Sequence, residues 1–315
     1  MKLRPLVLVL MLAALSIAAK EDEYREMREL AAQHGPMERY GATGKLIAQD
    51  VSYMPSRPKD LDFFLDVYSS PHEGLQPVIV VIHGGSWING TKENYNKVFN
   101  SKYLAGNGYV VFSINYRTLP EVRLKKQAED CMAAVIWVKR HAKEYGGDPE
   151  RVGALGGSAG GHLAALVAWA SDDPWFKPTG YDGPLDSGVL AACLYYPVID
   201  LDRTFRDNAS FLGPAVLAPI AVRRFETYHQ SLKHLSPVNH IDGNAPPTLF
   251  LTGDQDELKL YPHSVEFSRK LREAGVDSEV YTAPGKDHAF TAQYWEPEAV
   301  ESARRTVEWF DRYLR

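Results

Sequence analysis

Residues 151–163 read Arg-Val-Gly-Ala-Leu-Gly-Gly-Ser-Ala-Gly-Gly-His-Leu, and this stretch organises the rest of the chain. Its first part, 152–155, is a short apolar run typical of a buried parallel strand, and the pattern turns helical from residue 160 onward. Between them, residues 156–160 form G-x-S-x-G, in which small residues tolerate a strained strand–turn–helix elbow. The stretch predicts a nucleophilic Ser158, or alternatively a helix start that only needs small residues.

Strands and helices alternate on both sides of this elbow. Segments 78–82 and 109–114 are apolar without alternation, as strands covered on both faces are. A helical repeat runs through 124–138. Further strands are predicted at 189–196, 247–251 and 278–282, with a closing helix over 300–314. This order predicts an α/β protein with a mostly parallel, doubly wound sheet and right-handed crossovers.

Two regions depart from that alternation. Segments 46–54 and 61–68 come before the parallel strands and predict an antiparallel edge; the second alternates apolar and polar residues, which is typical of a half-exposed strand. Between residues 202 and 240 the periodicity weakens, and prolines, polar residues and aromatic residues mix. So long a connection predicts a lid insertion over the carboxyl ends of the strands.

The composition is that of an ordinary globular chain. With 315 residues, 45% hydrophobic content and a formal charge of −5, the sequence predicts one domain with a sizeable core. A mildly acidic chain without a basic cluster argues against nucleic acid or an anionic membrane as partner. Cys131 and Cys193 lie in apolar segments, which favours two buried free thiols over one disulfide, and their spacing indicates no metal site.

The first residues resemble a secretory leader. Lys2 and Arg4 precede an apolar run over 5–19, and small residues at 16–18 fit a cleavage site. We therefore expect a signal peptide over 1–18, a domain over 19–315 and a secreted or periplasmic location. An uncleaved anchor is the alternative.

A nucleophilic serine needs donors for the negative charge that develops on the substrate oxygen. Residues 83–87, His-Gly-Gly-Ser-Trp, follow the first buried strand, where paired glycines let backbone N–H groups point into a cleft. We predict that the amides of Gly85 or Ser86 act together with that of Ala159. The alternative is a tight turn that merely requires glycine.

The serine also needs a base and an acid. In this strand arrangement the acid and then the histidine follow the serine in chain order, each after a strand. Residue His288 follows the last predicted strand and is the predicted base, with a carboxylate to orient it. The turn after 247–251 holds two candidates for that carboxylate, Asp254 and Asp256, and periodicity does not choose between them.

The motifs taken together resemble those of a known family. They are His83-Gly-Gly-Ser-Trp, Asn115-Tyr-Arg, Gly156-Gly-Ser-Ala-Gly-Gly-His, Ser236-Pro, Gly253-Asp-Gln-Asp and Asp287-His-Ala-Phe. As a set they are similar to α/β-hydrolases of the esterase/lipase superfamily, closest to the bacterial feruloyl-esterase-like branch and near the hormone-sensitive-lipase-like esterases. The resemblance implies the α/β-hydrolase fold and Asp256 as the acid. Two positions differ from the lipase-like pattern: Ser86 replaces a third glycine, and Gly157 replaces a common aspartate.

Together with the predicted leader, the resemblance implies a secreted serine carboxylesterase without metal or organic cofactor. Its expected partner is a small or polysaccharide-linked acetyl or hydroxycinnamoyl ester. An arylformamidase with the same triad is the first alternative, because His-Gly-Gly-x-Trp is also typical of kynurenine formamidases, and a hydrolase-fold protein that binds without catalysis is the second. Trp87 is either a wall of the acyl pocket or a packed residue that holds its loop.

Overall fold

The computed structural model of the protein describes residues 29–54, 56, 60–178, 186–208 and 231–315. The predicted leader, 1–18, lies outside these residues, as does 209–230, the middle of the predicted lid. Among the described residues, no helix is both long enough and apolar enough to cross a membrane.

The described strands form one eight-stranded sheet. They are β1 (Lys45–Ser52), β2 (Phe64–Ser69), β3 (Gln76–Ile82), β4 (Val110–Ile114), β5 (Gly147–Gly157), β6 (Ala191–Tyr195), β7 (Thr248–Gly253) and β8 (Ser278–Ala283). Their order is β1-β2-β4-β3-β5-β6-β7-β8. The β1/β2 and β2/β4 pairs are antiparallel, and every other pair is parallel. The predicted antiparallel edge and mostly parallel sheet are confirmed.

Helices cover both faces of this sheet. The α-helices whose two ends are described are α1 (Tyr95–Gly106), α2 (Leu124–His141), α3 (Ala159–Trp169), α4 (Leu201–Asp207), α5 (Leu260–Glu273) and α6 (Pro297–Leu314). Alternate side chains of a central strand serve opposite faces. In β3, Val80 packs in the core with α2 and α3, whereas Val81 packs in the core with α1 and α6. Helices exclude water from both faces of β3, which explains why its sequence is a continuous apolar run.

The strand β2 differs from the prediction. Its alternation predicted one exposed face, but Asp66 and Tyr68 are buried as well. Tyr68 packs in the same cluster as Leu104 and Ala105 of α1, and Asp66 forms an ion pair with Lys92. The half-exposed assignment is wrong because a helix and a buried ion pair cover the polar face.

The two cysteines, Cys131 and Cys193, are free and buried, as predicted. Burial raises the pKa of both thiols, so both stay protonated at neutral pH.

The register of the parallel strands places the chemistry-bearing turns at one edge. Ile82 of β3 pairs with Gly156 of β5, and Gly157 pairs with Tyr195 of β6. Further along the sheet, β7 and β8 end level with each other. The loops that follow these strands therefore meet at the carboxyl edge of the sheet, where ligands bind in open α/β sheets.

Candidate active site

The elbow between β5 and α3 holds Ser158 in a left-handed conformation, with φ 57° and ψ −123°. Such a backbone costs roughly 1–3 kcal/mol for a residue other than glycine and persists only where its surroundings impose it. Here the constraint is close packing: a Cβ on Gly156 would lie 2.1 Å from the carbonyl oxygen of Gly160, and one on Gly160 would lie 2.3 Å from that of Ile82. The glycines of the motif are required by this approach.

A continuous chain of hydrogen bonds runs from the elbow to a buried carboxylate. The Nε2 atom of His288 lies 2.9 Å from the Ser158 hydroxyl, and its Nδ1 atom lies 3.0 Å from Oδ2 of Asp256. The other carboxylate oxygen of Asp256 accepts a 2.9 Å hydrogen bond from the amide of Leu258. The Asp256 side chain has no solvent exposure, and His288 is 15% exposed. Hydroxyl, imidazole and carboxylate are thus aligned in the order that transfers a proton from the hydroxyl.

The structure distinguishes between Asp254 and Asp256, the two candidates for the carboxylate that orients His288. Asp256 contacts His288, whereas the Oδ1 atom of Asp254 accepts a 2.7 Å hydrogen bond from the amide of Gly285. Asp254 therefore ties the turn after β7 to the turn after β8. The carboxylate brought to the histidine is the one implied by the family resemblance.

Two residues at this edge were given no role of their own in the sequence analysis. Asp287 accepts hydrogen bonds from the amides of His288 (2.6 Å) and Glu257 (2.8 Å), so it joins the base loop to the acid loop. Tyr196, just after β6, presents its ring edge-on to His288, with centroids 4.9 Å apart. An acidic residue beside a histidine is a visible signal, but both contacts depend on the strand order.

The loop after β3 packs directly on the elbow. A Cβ on Gly84 would lie 2.6 Å from the carbonyl oxygen of Gly157. The next three residues, Gly85, Ser86 and Trp87, have φ values of 125°, 53° and 62°. Three consecutive residues with positive φ turn the backbone sharply beside Ser158. The amide donors predicted at 85, 86 and 159 remain a prediction.

His83 supports this loop from inside the protein. Its Nδ1 atom donates to the carbonyl oxygen of Gly84 (2.9 Å), and its ring stacks on Tyr116 with centroids 4.1 Å apart. Burial lowers the pKa of His83 to about 4, so the ring is uncharged at neutral pH. These contacts make His83 a structural support of the loop.

Trp87 is almost fully buried, with 2% exposure. Its indole N–H donates to Nδ1 of His162 at 3.2 Å, and its ring meets Phe205 edge-on. In turn, Nε2 of His162 donates to the carbonyl oxygen of Leu235 at 2.8 Å. Of the two roles predicted for Trp87, these contacts are those of a packed residue that holds its loop. Its role as a pocket wall remains a prediction.

A buried cation lies behind the elbow. Lys97 of α1 is 2% exposed, and its Nζ atom is 3.1 Å from the position that a Cβ on Gly157 would take. Burial lowers its pKa to about 8. Among the described residues, no carboxylate forms an ion pair with Lys97. A single buried lysine has no sequence signature, so this feature emerges only from the structure.

The strand order, the strand-to-helix elbow and the carboxyl-edge site define an α/β-hydrolase fold. More particularly, the chain belongs to the BD-FAE family, whose model matches residues 65–271. The superfamily membership predicted from the motifs is confirmed.

Two individual relatives and one solved structure that are similar to this chain are named as ester hydrolases or esterases. The probable carboxylic ester hydrolase LipM of Mycobacterium tuberculosis (strain ATCC 25618 / H37Rv) is 36% identical over 231 residues, which are 72% of this chain and 53% of LipM. Esterase LipQ of the same strain is 32% identical over 262 residues, 81% of this chain and 59% of LipQ. The chain thus spans less than two thirds of either relative. The apo form of Thermogutta terrifontis esterase 2 superposes with a TM-score of 0.66 at 25% identity, covering 86% of this chain and 94% of that one.

Proposed function

We propose that the protein is a serine carboxylesterase in which Ser158 is the nucleophile, His288 the base and Asp256 the orienting acid. The observation that supports it most directly is the hydrogen-bond chain from the Ser158 hydroxyl through His288 to Asp256, with steps of 2.9 and 3.0 Å. Since the Asp256 carboxylate accepts a hydrogen bond from Nδ1 of His288, that nitrogen carries the ring proton. Nε2 is then free to accept a proton from the Ser158 hydroxyl.

The reaction then has two halves. As Ser158 Oγ attacks the acyl carbon, its proton moves to Nε2 of His288, and the carbonyl oxygen becomes an oxyanion facing the amides of Gly85 or Ser86 and of Ala159. Collapse of this intermediate breaks the ester C–O bond, and His288 gives its proton to the leaving alcohol. Water, deprotonated by the same imidazole, then attacks the acyl-enzyme and releases the acid. The buried Asp256 carboxylate stabilises the imidazolium in both halves.

We extend the proposal to an acetyl or hydroxycinnamoyl ester on a polysaccharide and to a secreted or periplasmic location. The feruloyl-esterase-like family supports the first of these, and the leader predicted from the sequence supports the second. A panel of acetyl, butyryl and feruloyl esters together with N-formylkynurenine separates this proposal from an arylformamidase. Faster turnover of the formyl amide than of every ester would contradict it.

The triad is tested with p-nitrophenyl acetate and a matched pair of carboxylate variants. Ser158→Ala should reduce kcat/KM by at least roughly 10⁴-fold, because the nucleophile is lost while the backbone of the elbow is retained. Asp256→Asn should cost on the order of 10³–10⁴-fold, because the amide orients the wrong tautomer of His288. Asp254→Asn keeps an oxygen for Gly285 and should leave the rate within about threefold.

A fluorophosphonate probe provides an independent readout, since it should label the peptide that contains Ser158 and no other serine. Retained turnover in Ser158→Ala, or a greater loss in Asp254→Asn than in Asp256→Asn, would overturn the assignment of these roles.

A further inference from the structure

A second group of histidine and aspartate side chains lies outside the candidate active site. Asp173 follows α3, and His234 and His240 lie on the carboxyl-terminal flank of the predicted lid insertion. One ligand atom from each lies within 4.8 Å of the other two. Their side chains are 22%, 40% and 13% exposed, respectively, so they are partly sheltered and still reachable from solvent.

The hydrogen bond of His240 fixes which of its nitrogens can bind a ligand. Its Nε2 atom lies 2.7 Å from the carbonyl oxygen of His234, and a carbonyl only accepts, so Nε2 carries the proton. In the neutral ring, Nδ1 then holds a lone pair, and it faces Oδ2 of Asp173 at 3.9 Å. The Nδ1 lone pair and the carboxylate oxygen are both acceptors, so no hydrogen bond joins them, and their separation also exceeds hydrogen-bond length. A histidine that donates its other N–H to a backbone carbonyl is the arrangement found in metal sites.

Other contacts hold the remaining two ligands. Oδ1 of Asp173 accepts a 2.8 Å hydrogen bond from the amide of Trp175, which leaves Oδ2 directed at the histidines. Nε2 of His234 lies 2.7 Å from that same Oδ2 atom. The ring of His234 packs against Trp175 and Phe176, with centroids 4.3 and 5.7 Å away. These contacts orient the side chains before any ion is bound.

We propose that Asp173, His234 and His240 bind a divalent cation of the Zn²⁺ class through Oδ2, Nε2 and Nδ1. Two imidazoles and one carboxylate suit Zn²⁺, and water completes four ligands. Bond lengths of about 2.0–2.1 Å imply ligand atoms about 3.3 Å apart, between the 2.7 and 3.9 Å separations found here. Binding moves the proton of His234 Nε2 to solvent, and the cation takes its place between the nitrogen and the carboxylate.

The position of this site indicates a structural role. It joins the segment after α3 to the flank of the insertion, and Leu235, next to His234, accepts the hydrogen bond from His162 of α3. His162 in turn accepts from Trp87 in the loop beside the elbow. A cation would therefore fasten the base of the insertion to the helix that begins at the elbow. None of these three side chains contacts the Ser158–His288–Asp256 triad. The ion would therefore stabilise the fold of this region and take no part in the reaction.

Metal binding is measured on the untagged full chain after chelator treatment, with Co²⁺ as a visible-absorbing probe and Zn²⁺ as competitor. We expect one Co²⁺ per chain with the intense absorption of a four-coordinate site, its displacement by Zn²⁺, and a rise in the thermal midpoint of roughly 5 °C at saturating Zn²⁺. Asp173→Asn, His234→Gln and His240→Gln should each weaken binding at least about tenfold.

The matched control is His141→Gln. The Nδ1 atom of His141 lies 2.7 Å from Oε1 of Glu144, and this exposed pair has no third ligand among the residues that the structure describes. The variant should therefore bind like the wild type. The Asp173→Asn variant keeps the bond to Trp175, so it tests the site even if a histidine variant unfolds. Absence of binding in the wild type would show an ordinary Asp–His ion pair. Binding that survives in all three variants would place the ion elsewhere, and either result overturns the proposal.

Discussion

Two buried lysines of this protein have opposite surroundings. Lys92, in the loop before α1, and Lys97, within α1, are both 2% exposed. The ammonium of Lys92 lies 2.9 Å from Asp50, 2.9 Å from Asp66 and 3.1 Å from Glu93. In contrast, no carboxylate among the described residues pairs with Lys97. Lys92 holds the antiparallel edge of the sheet together, whereas Lys97 lies behind the elbow without a carboxylate partner in the described part of the chain.

The two environments shift the pKa in opposite directions. Burial opposes the charge on Lys92, but hydrogen bonds to Asp50 and Asp66 outweigh it and raise the pKa. At Lys97 burial acts alone and lowers the pKa to about 8. A buried cation without a partner destabilises a fold, as does the left-handed backbone of Ser158. Both costs lie at the carboxyl edge of the sheet, and proteins commonly sacrifice stability in this way near functional sites.

The largest expected effect on stability comes from removing a carboxylate partner of Lys92. Asp66→Asn removes the buried partner of Lys92 and should lower the free energy of unfolding by about 3 kcal/mol, measured by urea denaturation. Asp50→Asn is the control, because the Asp50 side chain is 49% exposed and its pair with Lys92 should contribute at most about 1 kcal/mol. If both variants lowered the free energy of unfolding equally, burial would not explain why the Asp66–Lys92 pair contributes more than the Asp50–Lys92 pair.

Removing Lys97, which has no described carboxylate partner, should instead raise the free energy of unfolding. A pKa of about 8 instead of the ordinary 10.5 corresponds to a cost of roughly 3 kcal/mol at pH 7. Lys97→Met should therefore stabilise the protein, by about 2 kcal/mol once imperfect packing of the new side chain is allowed for. Urea denaturation at pH 7 checks this, and a destabilised variant would show that Lys97 has a stabilising partner.

The same variant has a pH signature. Between pH 8 and 10.5 the unfolded chain retains the Lys97 proton and the folded chain has lost it, so this group makes stability rise with pH. The advantage of Lys97→Met over the wild type should thus be full below pH 8 and vanish near pH 10.5. Because all other groups are common to both chains, the difference between the two curves isolates Lys97.

The smallest expected effect comes from giving Lys97 a partner. In Gly157→Asp the new Cβ would lie 3.1 Å from Lys97 Nζ and 3.3 Å from the ring of Tyr196. The ion pair should offset the crowding, so stability at pH 7 should change by no more than about 1 kcal/mol. The rise in stability between pH 8 and 10.5 should disappear, and a rise that persists would mean that the carboxylate does not reach Lys97.

Local patterns in the sequence predicted the sheet and the elbow well. The buried strands were recognisable because both of their faces are covered, and the elbow because Gly156 and Gly160 permit contacts that a Cβ would block. The half-exposed assignment of β2 failed because Asp66 is polar and yet buried by its pair with Lys92. A period-2 pattern records the polarity of a residue and not the partner that buries it.

The sequence by itself determined the fold class, the turn that carries Ser158, and the two aspartates from which the partner of His288 had to come. Hydrophobic period and glycine placement are properties of neighbouring residues, so a single chain displays them. Only the tertiary structure decided that Asp256 contacts His288, that Lys97 has no described carboxylate beside it, and that Asp173 meets two histidines. These outcomes depend on distances between segments far apart in the chain, which strand order and helix packing set and no local pattern contains.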